Sequence, residues 1–205
     1  MKRILFQGDS ITDVSRSREN DRYRGMGYPL LVTAELGLDY PEEYEFINKG
    51  ISGNRVVDLY SRIKNDLINL KPDVLSILIG INDVWHEINW QNGVSTEKYE
   101  KIYNMLIEEI KAELPDIRIM ILEPFVLKGE ATAEHWDEFR KGAEEKAAAA
   151  KRVAEKNGLE FIPLMEKFDE LAKKAAPEYW LFDGVHPTAM GHEFIAREWV
   201  KTFKK

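Results

Sequence analysis

Residues 74–79 read Val-Leu-Ser-Ile-Leu-Ile and are followed by a polar turn, Gly80-Ile81-Asn82-Asp83. A short and nearly continuous apolar run predicts a strand that is buried on both faces, as in a parallel sheet covered by helices. The loop after such a strand lies at its carboxyl end, which is where open parallel sheets bind their ligands. This segment therefore predicts both a fold class and the place of a functional site.

Other apolar runs alternate with amphipathic stretches, a pattern typical of strands joined by crossover helices. We predict five parallel strands, at residues 4–7, 44–48, 74–79, 117–122 and 159–162. We predict helices at residues 29–38, 56–70, 96–114, 133–157, 165–175 and 189–203, with stop signals at Gly37, Pro72, Pro115 and Gly158. The sequence thus predicts an α/β fold in which polar loops follow the first three strands.

The composition narrows the class of protein. We expect residues 1–205 to form a single domain. The formal charge of -7 disfavours nucleic acid and anionic membranes as partners, so a small neutral molecule fits better. The chain has no cysteine, which excludes disulfides and thiolate catalysis and favours a reducing compartment. Because no apolar run reaches the length of a signal peptide or a membrane span, we expect a cytoplasmic protein.

Ser10 follows the first predicted strand, in the stretch Gly8-Asp9-Ser10-Ile11. Glycine permits a sharp turn there, and the start of a helix would point backbone N–H groups at the serine hydroxyl. The position therefore suits a nucleophile. Helix capping is an equally good interpretation, because serine is a favoured N-cap residue.

An aspartate and a histidine lie on one loop near the C-terminus, in Asp183-Gly184-Val185-His186-Pro187. A serine nucleophile needs a base to take its proton and a carboxylate to hold that base in the right tautomer. Asp183 and His186 supply these two residue types. Taken separately, each also fits an ordinary surface turn.

Acyl transfer also needs hydrogen-bond donors for the tetrahedral oxyanion. Asn82 offers a side-chain amide and Gly53 a backbone N–H, both in loops after predicted strands. Alternatively, Asn82-Asp83 is a turn pair and Gly53 a left-handed turn glycine. Asp9 and Asp13 are close enough in sequence to suggest a pair of catalytic carboxylates, but helix-end and turn roles explain both more simply.

Four blocks of sequence combine these candidates in order along nearly the whole chain. They are Gly8-Asp9-Ser10-Ile11-Thr12-Asp13, Ile51-Ser52-Gly53-Asn54, Gly80-Ile81-Asn82-Asp83 and Asp183-Gly184-Val185-His186-Pro187. Together they resemble the SGNH, or GDSL-type, hydrolases. Ile11 departs from the leucine of the GDSL name, but the swap conserves volume. The resemblance implies a flavodoxin-like three-layer α/β/α sandwich around a five-stranded parallel sheet.

The resemblance also implies the role of each candidate residue. Ser10 is the nucleophile, His186 its base and Asp183 the acid that orients the base. The backbone N–H groups of Ser10 and Gly53 form the oxyanion hole with the Asn82 side chain. The histidines of the chain show no ligand-like spacing, so we expect no metal and no other cofactor.

Residues 48–54 and 79–85 look most like those of bacterial carbohydrate esterases, including acetylxylan esterases. The implied reaction is removal of acetyl groups from acetylated sugars or xylo-oligosaccharides through an acyl-enzyme. Trp85 and Trp180 neighbour catalytic blocks, and aromatic faces suit sugar rings, so both are predicted substrate contacts. Core packing or a subunit contact is the alternative for each tryptophan.

Two other functions stay open at this stage. The same site with a longer apolar tunnel would make a lysophospholipase or an acyl-thioesterase. A non-catalytic sugar-binding module on the same fold is a further alternative. Sugar esterases that resemble this sequence are often multimers, so a homo-oligomer is possible by that resemblance. The sequence itself does not show the oligomeric state.

Overall fold

A five-stranded sheet forms the centre of the protein, whose computed structural model describes residues 1–205. Its strands are β1 (Lys2–Gly8), β2 (Tyr44–Asn48), β3 (Val74–Leu78), β4 (Arg118–Leu122) and β5 (Glu160–Ile162). All neighbours pair in parallel, and the order across the sheet is β2-β1-β3-β4-β5. The strand order reverses at β1 and β3, so a ligand-binding crevice is expected beyond their carboxyl ends.

Ten helices connect or flank the strands. They are α1 (Ser10–Asp13), α2 (Tyr28–Asp39), α3 (Val56–Ser61), α4 (Ile63–Asp66), α5 (Ile81–Trp90), α6 (Thr96–Glu113), α7 (Trp136–Asn157), α8 (Met165–Ala172), α9 (Pro177–Trp180) and α10 (Ala189–Phe203). A 3₁₀ turn, Ile68–Leu70, follows α4. None of the helices has both the length and the apolar composition needed to cross a membrane.

Successive side chains of each strand point to opposite faces of the sheet and enter two separate cores. On one face, Ile4 and Phe6 of β1 belong to a cluster of 29 buried residues that includes Trp199 of α10. On the other face, Leu5 and Ile77 belong to a cluster of 21 buried residues that includes side chains of α3 and α6. Helices cover both faces, which confirms the predicted three-layer α/β/α sandwich.

The predicted helix at residues 56–70 is broken into α3, α4 and the 3₁₀ turn. The backbone leaves the helical conformation at Arg62 (φ -114°, ψ 12°) and at Leu67 (φ -141°, ψ -69°). No proline or glycine interrupts this segment, so local propensity does not explain the break. Arg62 instead makes long-range contacts with two loops, which are described below.

Residues 81–90 form helix α5, although Asn82-Asp83 was predicted to be a turn or loop. Gly80 precedes the helix with φ 140°, a conformation that side chains rarely adopt. Asp83 lies in the first turn, where its buried carboxyl accepts a hydrogen bond from the Val56 N–H at 3.2 Å. Asn82 is therefore held on a helix rather than on a flexible loop.

Candidate active site

Ser10 is the first residue of α1, directly after β1. Asp9 occupies the N-cap position, and its Oδ1 accepts a hydrogen bond from the Ile11 N–H at 3.0 Å. Ser10 therefore does not have the capping role that the sequence left open. A Cβ at Gly8 would lie 2.4 Å from the Leu78 carbonyl oxygen, so the turn needs glycine there. The result is a tight strand-to-helix turn with the Ser10 side chain at its outer edge.

The structure brings Ser10, His186 and Asp183 together in one hydrogen-bonded chain. Ser10 Oγ lies 3.0 Å from His186 Nε2, and His186 Nδ1 lies 2.6 Å from Asp183 Oδ2. The other oxygen of Asp183 accepts from the backbone N–H of Val185 at 2.9 Å and of His186 at 2.7 Å. Gly184 has φ 98°, which allows the loop to turn back on itself. This arrangement can transfer a proton from serine to imidazole.

The electrostatics of the pair favour an ionised Asp183 beside a basic His186. The hydrogen bond with Asp183 raises the pKa of His186, although burial of the ring acts in the opposite direction. Burial also opposes ionisation of Asp183. The hydrogen bonds that this carboxylate accepts from His186 and Val185 nevertheless lower its pKa overall. An imidazolium formed during a reaction would thus meet a stabilising negative charge.

Three hydrogen-bond donors lie in the segments that follow β1, β2 and β3. The backbone N–H groups of Ser10 and Gly53 have no acceptor within the protein. Gly53 adopts φ 81°, and the space where its Cβ would lie is open. Asn82 is buried and donates one hydrogen bond from Nδ2 to the Asn54 carbonyl oxygen at 3.1 Å, which leaves its second amide hydrogen available. Such donors can stabilise an oxyanion.

Two buried aspartates support the turn that carries Ser10. Asp9 is fully buried, and its Oδ2 has no hydrogen-bond partner. Burial raises the pKa of this carboxyl to about 7, against the opposing effects of the Ile11 N–H and His186. Asp13 accepts hydrogen bonds from the Ser52 N–H and Oγ and pairs with Arg18 at 2.6 Å. Both aspartates thus have the predicted helix-end positions, since Asp9 caps α1 and Asp13 is its last residue. Asp13 also joins α1 to the loop after β2.

Two aromatic rings flank the His186 imidazole. The Trp85 ring lies 5.8 Å from it between centroids, and the Phe182 ring is stacked on it at 5.7 Å. Phe182 is 58% exposed, whereas Trp85 also packs against Phe139. Phe182 was not among the predicted site residues, and its place directly before Asp183 was the only signal for it.

Trp180 lies at a different place from Trp85. It lines a cavity of about 430 Å³ between α8, α9 and α10, together with Tyr179, Met190 and Phe194. No residue of the hydrogen-bonded chain or of the donor set lines this cavity. The structure therefore brings Trp85, but not Trp180, against His186.

Fold and sequence together define the class of the protein. The family model of the GDSL-like lipase/acylhydrolase family matches residues 6–194. The chain belongs to this family and is a carboxylic ester hydrolase.

Particular relatives are similar over their whole length. The chain is 34% identical to an acetylxylan esterase from Geobacillus stearothermophilus, over 98% of this chain and 97% of the relative. The crystal structure of Axe2, an acetylxylan esterase from the same organism, matches with a TM-score of 0.89 at 34% identity, covering 100% of this chain and 94% of Axe2. A protein from Parabacteroides merdae that is described as a GDSL-like lipase matches with a TM-score of 0.92 at 36% identity, covering 99% of this chain and 95% of its own.

Proposed function

We propose that this protein hydrolyses short-chain acyl esters, chiefly acetyl esters, of sugars or xylo-oligosaccharides. The observation that carries the proposal is the continuous hydrogen-bonded chain from Ser10 Oγ through His186 to Asp183, at 3.0 and 2.6 Å. Because the chain is an ester hydrolase, a non-catalytic sugar-binding role is set aside. The names of the Geobacillus relatives support acetylated xylan fragments as the substrate class.

The proposed reaction has two halves. Ser10 Oγ attacks the ester carbonyl carbon while His186 Nε2 takes the hydroxyl proton. The alcohol then leaves with the proton from His186, and an acetyl-Ser10 intermediate remains. Water then attacks the carbonyl carbon of this intermediate while His186 takes a proton from the water. His186 gives this proton to Ser10 Oγ as the acyl–oxygen bond breaks, so acetic acid is released, loses its proton to solvent as acetate, and the Ser10 hydroxyl is restored.

The charge that develops in each half has a matching group. Asp183 stabilises the imidazolium form of His186. The N–H groups of Ser10 and Gly53 and the Asn82 amide receive the oxyanion of the tetrahedral intermediate. The donors come from three separate segments that follow the carboxyl ends of β1, β2 and β3: the start of α1, the loop that carries Gly53, and the first turn of α5.

The distribution of cavities favours a small acyl group. Five cavities have volumes of about 230 to 430 Å³, and none of these five is lined by Ser10, Gly53, Asn82 or His186. A fatty acyl chain needs an apolar tunnel beside the nucleophile, whereas an acetyl group needs only a shallow depression. The alternative activities, lysophospholipase and acyl-thioesterase, would need such a tunnel. The first experiment tests for them through the preferred length of the acyl chain.

That experiment compares hydrolysis of p-nitrophenyl acetate, butyrate and octanoate by the wild type and Ser10→Ala. We expect a preference for acetate in the wild type, no turnover in the variant, and release of acetate from peracetylated xylose. A preference for octanoate would assign lipid or thioester substrates instead. Equal rates for both proteins would mean that Ser10 is not the nucleophile.

The sugar is proposed to lie against the aromatic side chains beside His186. Phe182→Leu and Trp85→Leu should raise KM for acetylated xylo-oligosaccharides by roughly 2- to 10-fold, while KM for p-nitrophenyl acetate changes less. Trp180 also stays a proposed substrate contact, and Trp180→Leu tests it in the same assay. An unchanged KM in Trp180→Leu would assign that tryptophan to packing.

Location and assembly are the remaining proposals. The lack of cysteine is compatible with the reducing cytoplasm as the place of action. A homo-oligomer is compatible with exposed aromatic side chains such as Tyr179 and Phe182, which are 47% and 58% exposed. Light scattering on the purified protein would measure the oligomeric state.

A further inference from the structure

Arg62 contributes a mostly buried guanidinium at the break between α3 and α4. Its side chain is 14% exposed. Nε donates to Asn54 Oδ1 at 2.8 Å, and one terminal nitrogen donates to the Lys49 carbonyl oxygen at 2.8 Å. The same nitrogen contacts Asp66 Oδ2 at 3.1 Å, and the other donates to the Gly8 carbonyl oxygen at 3.4 Å. One planar group thus connects several separate segments of the chain.

The backbone carbonyl groups that accept from Arg62, those of Gly8 and Lys49, lie close in sequence to the two backbone oxyanion donors. Gly8 ends β1 and is separated from Ser10 by Asp9 alone. Lys49 follows β2 and, with Asn54, brackets Gly53. Arg62 therefore links the turn that carries the Ser10 N–H to the loop that carries the Gly53 N–H.

The third donor joins the same network through Asn54. The side-chain oxygen of Asn54 accepts from Arg62, while its backbone carbonyl oxygen accepts from Asn82 Nδ2 at 3.1 Å. A displacement of Arg62 would consequently reach all three donors. A guanidinium suits this task because its five N–H groups form a rigid fork, which an ammonium group does not provide.

We propose that Arg62 is a positioning residue that sets the geometry of the oxyanion hole. The inference rests on the proposed function, because it assigns the three donors to the transition state. Donors that are misplaced by a fraction of an ångström stabilise the oxyanion less, while a neutral ester still binds. Loss of Arg62 should therefore lower kcat and leave KM nearly unchanged.

The test measures kcat and KM for p-nitrophenyl acetate in Arg62→Ala and Arg62→Lys, with the concentration of active sites titrated. We expect kcat to fall about 10- to 100-fold in Arg62→Ala, the usual cost of removing a residue that orients reacting groups. Arg62→Lys should recover only a small part, because one ammonium cannot reach both loops. Added guanidinium ion should partly restore kcat in Arg62→Ala.

Arg118 provides a matched control. It also pairs with a carboxylate, Glu160, at 2.7 Å and donates to two backbone carbonyls, those of Thr202 and Phe203. It lies at the first residue of β4, the end of the sheet away from Ser10. Arg118→Ala should lower the unfolding temperature and leave kcat per active site unchanged.

A double-mutant cycle with Asn82→Ala tests whether Arg62 acts through the oxyanion hole. If it does, the double variant should lose much less than the product of the two single losses. The inference would be overturned if the losses of kcat in the two single variants multiplied in the double variant. It would also be overturned if Arg62→Ala raised KM and left kcat unchanged. If Arg62→Ala fails to fold, Arg62→Lys or Asn54→Ala is combined with Asn82→Ala in the same double-mutant cycle. Turnover that survives in Ser10→Ala would contradict the proposed function itself, which is a different outcome.

Discussion

Asp183 holds His186 at two points, with its Oδ2 2.6 Å from the ring Nδ1 and its Oδ1 2.7 Å from the backbone nitrogen of the same histidine. This double contact fixes the side chain and the loop together. It also requires that Nδ1 carries the proton, so that Nε2 is free to accept from Ser10.

Asp183→Asn should therefore lower kcat by roughly 10⁴-fold with little effect on stability. The amide can keep its oxygen on the two backbone N–H groups, but its NH2 then faces Nδ1 and favours the wrong tautomer. Steady-state kinetics on p-nitrophenyl acetate would measure the loss. A decrease of tenfold or less would show that Asp183 does not set the tautomer.

The pH dependence of kcat/KM should report the ionisation of His186. The base must be neutral, and the hydrogen bond with Asp183 raises the pKa of His186 above the ordinary value of 6.5. Activity should consequently fall as the pH drops through an inflection that lies above 6.5. An inflection below that value in the wild type would contradict the raised pKa.

Asn82→Ala should lower kcat by about 10²- to 10³-fold, because one oxyanion donor is lost. Asn89 lies on the same helix and is exposed, so Asn89→Ala is a matched control that should keep wild-type turnover. Near-normal turnover in Asn82→Ala would remove this side chain from the oxyanion hole.

Gly53→Ala separates backbone strain from access to the site. Gly53 and Gly158 both have positive φ, 81° and 64°, and neither has an atom within 4 Å of the place for a Cβ. Each alanine variant should lose about 1–2 kcal/mol of unfolding free energy. Only Gly53→Ala should also lower kcat/KM, by about 10- to 100-fold, because its N–H must be aimed at the ester. Equal kinetics in the two variants would show that Gly53 is a turn residue without a role in the reaction.

Asp9→Asn should change how stability depends on pH. Burial raises the pKa of Asp9 from 3.8 to about 7, so the folded protein binds more protons than the unfolded chain between these values. The wild type should thus lose stability as the pH rises through this range, by up to about 1.4 kcal/mol per pH unit, and the variant should lack this loss. The amide oxygen can still accept from the Ile11 N–H.

Urea unfolding of both proteins at pH 5 and pH 8 would measure this difference. Asp116→Asn, which replaces an exposed carboxylate, is the control and should follow the wild type. If the unfolding free energy changed equally with pH in the wild type and in Asp9→Asn, the pKa of Asp9 would not be raised in the folded protein.

Much of this protein could be predicted from local patterns in its sequence. The strands were found because buried parallel strands are short apolar runs, and every predicted one is present within two residues of its predicted ends. The blocks around Ser10, Gly53, Asn82 and His186 were recognisable because tight turns and catalytic groups need particular residue types at short spacing.

Contacts between distant segments depended on the tertiary structure. Ser10 and His186 are 176 residues apart, and only the parallel sheet brings them to 3.0 Å. The break at Arg62 and the burial of Asp9 have no local signal either, because each depends on how segments from different strands pack at one edge. Phe182 directly precedes Asp183 in the sequence, but its stacking on His186 is decided by the fold of the loop that carries both. Local residue patterns thus identified which groups could react, whereas the packing of distant segments set the distances between these groups, their burial and therefore their pKa values.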